Sequence, residues 1–264
     1  MHWDTIHKDT APGVTPNLAD YDRARSDFTW SQARTALAGL PGGGLNIAHE
    51  AVDRHAGSAS RDRVALRCIA RDNSVSTVAY TELARRTARF ANVLRSLGVG
   101  HGDRVFTLLG RCPELYTAVL GTLKNTSVLC PLFSAFGPDP VEQRLRLGDA
   151  RVLVTTAALY RRKVAERRAS LPGLEKVLIV GPGAEELPGT VSFDELMSSV
   201  SDSFTSRRPR RRRGERVLLN GLAVISQRNS PSASRWWSRV WHREGAERSG
   251  RQIMHRRASR VCGR

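Results

Sequence analysis

The stretch Val105-Phe106-Thr107-Leu108-Leu109, Gly110-Arg111-Cys112, Pro113-Glu114-Leu115-Tyr116-Thr117-Ala118-Val119-Leu120-Gly121-Thr122-Leu123-Lys124, Asn125-Thr126, Ser127-Val128-Leu129-Cys130-Pro131-Leu132 decides the fold class. It opens on an apolar run of strand length. Pro113 and Glu114 then suit the first turn of a helix, where a missing N–H costs nothing and a carboxylate meets the positive end of the dipole. A second apolar run follows at Ser127–Leu132. Neither run alternates polar with apolar, as expected of strands covered on both faces and joined in parallel through a helical crossover.

The same alternation extends outward. Downstream, Asp139-Pro140 opens a helix through Leu147, Val152-Leu153-Val154 is a strand, and residues 157–170 read as helical. Lys176–Val180 is a further strand and Phe193–Val200 a short helix. Upstream, Thr81 is placed to cap a long helix in which Leu83, Thr87, Phe90, Ala91, Leu94 and Leu97 recur at helical spacing, ended by Gly98 and Gly100. Val64, Leu66 and Ile69, the turn Arg71-Asp72-Asn73-Ser74 and Val75–Tyr80 read as a hairpin. Asn46 is placed to cap a helix over Ile47–Ala56, and Thr29–Leu40 reads as a helix stopped by Pro41. Residues 1–28 read as an irregular, extended lead-in. The pattern predicts an α/β fold, part of a doubly wound domain with right-handed crossovers.

Charge marks a boundary. The 264 residues hold 42 Lys+Arg against 25 Asp+Glu, for a net charge of +17. Residues 206–264 carry 17 arginines, no lysine and only Glu215, Glu244 and Glu247, a local balance of +14 that leaves +3 for residues 1–205. Three segments follow: a lead-in (1–44), a partial α/β domain (45–205) and an irregular Arg-rich tail (206–264) expected to be disordered, with Val217–Ile225 its one strand-like run. Arg with Gly, Ala, Ser and Pro is the composition of GC-rich DNA read out of frame. That origin predicts a Gly/Ser/Thr-rich phosphate loop in another frame past codon 205. The alternative is a selected basic arm: the Arg run at 207–213 with Trp236, Trp237 and Trp241 combines charge with stacking surfaces for nucleic acid.

Several chemistries are excluded or weakened. Cys68, Cys112, Cys130 and Cys262 form no C-x-x-C pair and read as buried thiols. The first 25 residues lack an apolar signal core, and Leu115–Leu123 is far too short to span a bilayer, so a cytoplasmic protein without membrane contact is expected. No metal-binding motif is present; His49 and His55, six apart, do not share a helix face. Gly98–Gly102 is glycine-rich but precedes a strand, the reverse of a dinucleotide loop, and Gly181-Pro182-Gly183 reads as a turn. His101 and Cys112 could be imagined as base and nucleophile, with nothing in the sequence to join them. Arg161, Arg162, Lys163, Arg167 and Arg168 read as one solvated basic helix face, on which an anionic ligand could dock.

Four segments resemble a known family. Leu45–His55 is similar to the segment that opens acetyl-CoA synthetases. Val78-Ala79-Tyr80-Thr81-Glu82-Leu83 resembles the first core motif of the adenylate-forming superfamily. Leu120–Asn125 with Val128–Phe133 resembles the second, and Phe133–Val141 continues it as in acetate and short-chain acyl-CoA ligases. The resemblance covers residues 45–200 and implies the N-terminal portion of an AMP-forming ligase. A complete enzyme would join a carboxylate to ATP with magnesium, release pyrophosphate, and pass the acyl group to coenzyme A. It needs a phosphate-gripping loop, an acid for magnesium and ribose, and a mobile lysine. In the family these come later than the matched part, so no catalytic or metal residue is assigned and the chain is expected to be inactive alone, unless a separate chain completes it. One cofactor contact carries over: Arg161 falls where the family places an arginine on a CoA phosphate, while the second basic partner falls on Val164.

Overall fold

A computed structural model describes residues 18–70 and 72–208, together with the backbone of 218–220 and 223–225. The chain divides into two compact units, residues 1–39 and 40–264. In the first, Tyr21–Asp27 (α1) and Trp30–Thr35 (α2) are short helices. The extended reading of 1–28 therefore fails at α1. Asp20 caps it by accepting from the Arg23 N–H at 2.9 Å, but it buries no residue, so no apolar periodicity announced it. The helix expected over Thr29–Leu40 stops at Thr35; Thr29 and Gln32 form a reciprocal capping box at its start.

The second unit opens with Asn46, whose Oδ1 accepts from the N–H groups of Ala48 and His49 at 2.9 and 3.3 Å. The helix it caps widens into a π-helical turn, His49–Asp53, before Arg54–Ala56 (α3). Val64–Ile69 (β1) and Val75–Ala79 (β2) pair antiparallel as the expected hairpin. Tyr80–Ser96 (α4) follows without a side-chain cap, and the Thr81 hydroxyl donates instead to the Arg61 carbonyl at 2.9 Å, tying the helix to the chain before β1. Gly98, at φ +72°, closes α4: its N–H reaches the Arg95 carbonyl while the Val99 N–H reaches that of Leu94. This double bond is a Schellman stop.

Arg104–Leu108 (β3), Val128–Leu132 (β4), Val152–Thr156 (β5), Lys176–Val180 (β6) and Thr190–Ser192 (β7) form one parallel sheet in the order β4-β3-β5-β6-β7. The intervening helices are Pro113–Lys124 (α5), Pro138–Leu147 (α6) and Ala157–Lys163 (α7), with Phe193–Ser198 (α8) last. Helix faces follow from handedness. Moving from β3 out to β4 and then back past β3 to β5 reverses direction, so right-handed crossovers must put α5 and α6 on opposite faces. The core divides accordingly. Val105, Val152, Val154 and Leu178 pack against Phe90, Val93 and Leu94 of α4, Ala118 of α5 and Phe193 of α8. Phe106, Leu108, Leu153, Val177 and Ile179 pack against Val141 and Leu145 of α6 and Tyr160 of α7. The sheet is doubly wound, as its apolar strands predicted.

Helices α4 and α5 approach closely at Gly121. A methyl there would stand 2.8 Å from the Phe90 side chain and 2.9 Å from the Thr87 carbonyl. The helical reading of 157–170 is corrected at Val164, a buried residue at φ −128° that ends α7 before a 3-10 turn, Ala165–Ser170. The strand expected over Val217–Ile225 is instead two short antiparallel strands, Leu218–Asn220 (β8) and Ala223–Ile225 (β9). The Arg run from position 210, Trp236, Trp237, Trp241 and Cys262 lie outside the described residues. No described helix is long and apolar enough to cross a membrane.

Candidate functional site

The reversal of strand order gives the sheet a crevice. Strand β3 leaves towards β4 and β5 leaves towards β6, so the loops beyond their carboxyl ends diverge, the position where open α/β sheets take ligands. The Thr155 hydroxyl donates to the Leu108 carbonyl at 2.9 Å and locks the two strand ends together. Leu109–Cys112 runs from β3 into α5, and Thr156 ends β5 while capping α7 through the Leu159 N–H. Beyond β6, the turn Gly181-Pro182-Gly183 passes so close to α7 that a methyl on Gly183 would lie 3.1 Å from Ala157 Cβ.

Arg161 stands in the last turn of α7 beside this turn, and its guanidinium donates to the Glu186 carboxylate. Its side chain is 47% exposed. Val164, in the second expected position, is buried at 1%. The basic face expected from Arg161 to Arg168 does not exist as one surface. Lys163 is buried, its Nζ donating to the Ser134 and Phe136 carbonyls at 2.5 Å each. That burial lowers its pKa below the usual lysine value, with Arg162 acting in the same direction. Arg167 pairs with Asp139 at 2.7 Å and Glu142 at 3.2 Å, and Arg168 donates to the Leu171 and Leu174 carbonyls. Arg161 and Arg162 alone of the five remain exposed.

The other candidates separate. His101 precedes β3 and Cys112 follows it, so the strand stands between them. Burial raises the Cys112 thiol, and it pushes Cys130 up to about 12. Cys68, Cys112 and Cys130 are nevertheless only half-buried, not the enclosed thiols expected. His49 Nδ1 lies 3.9 Å from Asp53, and the His55 ring packs tilted against Tyr80, with 4.8 Å between centroids. Among the described residues no group of His, Cys, Asp or Glu is arranged to hold a metal ion. Val164 supplies no second cation beside Arg161 at the position the motif assigns to a CoA phosphate.

A polar cluster that sequence reasoning missed lies at the C-terminal end of α5. Lys124, at the end of α5 and 2% exposed, donates to Asp53 at 2.6 Å and to the Ala84 carbonyl at 3.3 Å. Asp53 also accepts from the Ser206 hydroxyl at 2.9 Å. Asn46 Nδ2 reaches the Leu123 and Arg207 carbonyls, and Asn92 Nδ2 those of Ser201 and Ser203. With Arg95 over the Phe204 ring at 4.4 Å, these contacts bind residues 201–207 across α4 and α5 like a strap. No local signal could have revealed it, since Asp53 and Lys124 are 71 residues apart.

Comparison with known proteins decides the affiliation. Residues 52–217 match the sequence profile of the AMP-binding enzyme family. The chain belongs to that family. It is 37% identical over 188 residues to the acetyl-coenzyme A synthetase of Bacillus subtilis, covering 70% of this chain and 32% of that protein. It is 36% identical over 148 residues to the acetyl-coenzyme A synthetase of Methanothrix thermoacetophila, covering 53% and 22%. The crystal structure of a Brucella canis acyl-CoA synthetase superposes with a TM-score of 0.62 at 34% identity, covering 71% of this chain and 34% of that one. The chain therefore spans about a third or less of the length of these relatives. The fold is that of the N-terminal part of an adenylate-forming ligase, as the four motifs implied.

Proposed function

We propose that this chain is the N-terminal portion of an AMP-forming acetate or short-chain acyl–CoA ligase, cytoplasmic in location, and that alone it activates no carboxylate. The family supplies the chemistry; the observation that carries the inactivity is the fate of the lysines. A mobile lysine is needed to stabilise charge at the reacting carboxylate. The chain has four: Lys8, Lys124, Lys163 and Lys176. Lys124 is tied to Asp53 and Lys163 to two carbonyls, both buried, while Lys176 lies in β6. No lysine follows Lys176 within the 264 residues.

What the chain retains in this reading is scaffold and one anchoring group. Arg161 is the residue assigned to a CoA phosphate. Its guanidinium must first leave Glu186, which makes the contact conditional on a competing anion. Acetate-dependent ATP–pyrophosphate exchange by the purified 264-residue chain is the test. Exchange at the no-enzyme background is expected; exchange above it would overturn the inactive assignment.

A further inference from the structure

A second concavity lies at the opposite end of the strands from the crevice. Gly100 and His101, just before β3, and Asn125 and Thr126, just before β4, form one wall of a cavity of about 770 Å³. Arg95 and Lys124 from the ends of α4 and α5, and Phe204, Arg207 and Arg208 from the strap, form the others. Among the described residues, no acidic residue lines it. Asp53, the partner of Lys124, and Asp103, two residues after His101, are already engaged, Asp53 with Lys124 at 2.6 Å and Asp103 with Arg151 at 2.7 Å.

Two features make this more than a basic surface. Arg207 and Arg208 have no carboxylate partner among the described residues. The Arg208 side chain is seated against the backbone of Gly44, at φ +90°, where a methyl would stand 2.5 Å from its Cδ. The positive φ of Gly44 favours glycine, and without a Cβ its backbone lets the Arg208 side chain lie against it. On the facing wall, the His101 Nδ1 is buried and has no hydrogen-bond partner among the described residues.

We propose that this cavity binds a small anion carrying two or more phosphate groups. Lys124 is held by Asp53, but the three guanidinium groups of Arg95, Arg207 and Arg208 still exceed what a single phosphate neutralises, and their forks match the paired oxygens of a phosphoryl group. A concave site of this size selects a compact ligand over an extended polyanion, which would follow an open groove. The inference rests on the strap and cavity alone and is independent of the ligase reading.

The probe is inorganic tripolyphosphate, titrated into the full chain by calorimetry at fixed ionic strength. Because the chain carries +17, each variant needs a charge-matched control. The Arg207→Glu/Arg208→Glu double variant should weaken binding at least tenfold. Arg256→Glu/Arg257→Glu, with the same charge change elsewhere in the sequence, should alter it less than twofold. Equal loss in both pairs would mean general attraction and overturn the proposal, as would no binding by the parent chain. His101→Phe keeps every arginine and lysine while filling the cavity. It should also weaken binding at least tenfold, and it decides the matter should the double variant lose its circular dichroism. Unchanged affinity in His101→Phe would refute the site.

Discussion

Replacing Lys124 by methionine removes an ammonium while keeping the length of the side chain. Its Nζ is the closest cation to Asp53, and the strap depends on the same carboxylate through Ser206. Breaking a buried pair by removing one partner costs about 3–5 kcal/mol, because the survivor is left desolvated. Asp53 keeps 21% of its side chain exposed and retains the Ser206 hydroxyl, which places Lys124→Met at the lower end, about 3 kcal/mol. Asp53→Leu leaves an ammonium that is 2% exposed with only the Ala84 carbonyl at 3.3 Å, so it should cost at least as much. The double variant strands no charge and should recover most of the loss. Native-state hydrogen exchange at the amides of α4 and α5 reads this locally. At 1.4 kcal/mol per decade, protection in either single variant should fall on the order of a hundredfold. Single-variant losses that simply add in the double variant would refute the reasoning, since they would show that the two side chains do not interact.

Gly121→Ala should destabilise by about 1–3 kcal/mol despite alanine's better helix propensity, because its methyl meets Phe90 and the Thr87 carbonyl at under 3 Å. Exchange protection in α4 and α5 measures it, and a stabilised variant would contradict the close approach. Cys130, held near 12 by burial, should resist iodoacetamide at pH 8 until the chain unfolds. The raised value means that the folded state keeps a proton which the unfolded thiol loses near 9. Its contribution to stability is therefore complete below pH 9 and is lost as pH rises towards 12. Cys130→Ser should flatten that alkaline decline in a urea titration series. Glu186→Ala frees the Arg161 guanidinium and should raise affinity for coenzyme A over the parent chain, an increase abolished by adding Arg161→Ala. Equal affinity in all three would remove Arg161 from the CoA site.

Much of the sheet was legible because each strand is a short apolar run and each crossover helix has its own start signal. Pro113 sits at the first turn of α5, and Lys176–Val180 has the bounds its sequence suggested. Misreadings occurred where local signals were weak or overruled. Helix α1 has no apolar face to detect, and β7 is three residues at the sheet's edge. Thr81 has the chemistry of a cap, yet its hydroxyl serves the Arg61 carbonyl. The supposed basic face over 161–168 failed because Lys163 shares the buried face of α7 with Ala157 and Tyr160, while Arg167, beyond the break at Val164, goes to carboxylates on α6. For the candidate site, Arg161 is assigned by motif position alone, and its engagement with Glu186 across 25 residues is invisible in the sequence.

The sequence by itself determined the kinds and order of elements, the two-sided burial of the strands, and the family, because periodicity and motifs are written within short windows of chain. Tertiary structure alone decided that β4 lies outside β3 and β5 beyond it on the other side, which creates the crevice. It also decided that Asp53 meets Lys124, and that Asn46 holds Arg207 across 161 residues. Such pairings depend on which face each right-handed crossover takes and on how closely helices pack at Gly121. Those are properties of the assembled layers, and no local stretch of sequence contains them.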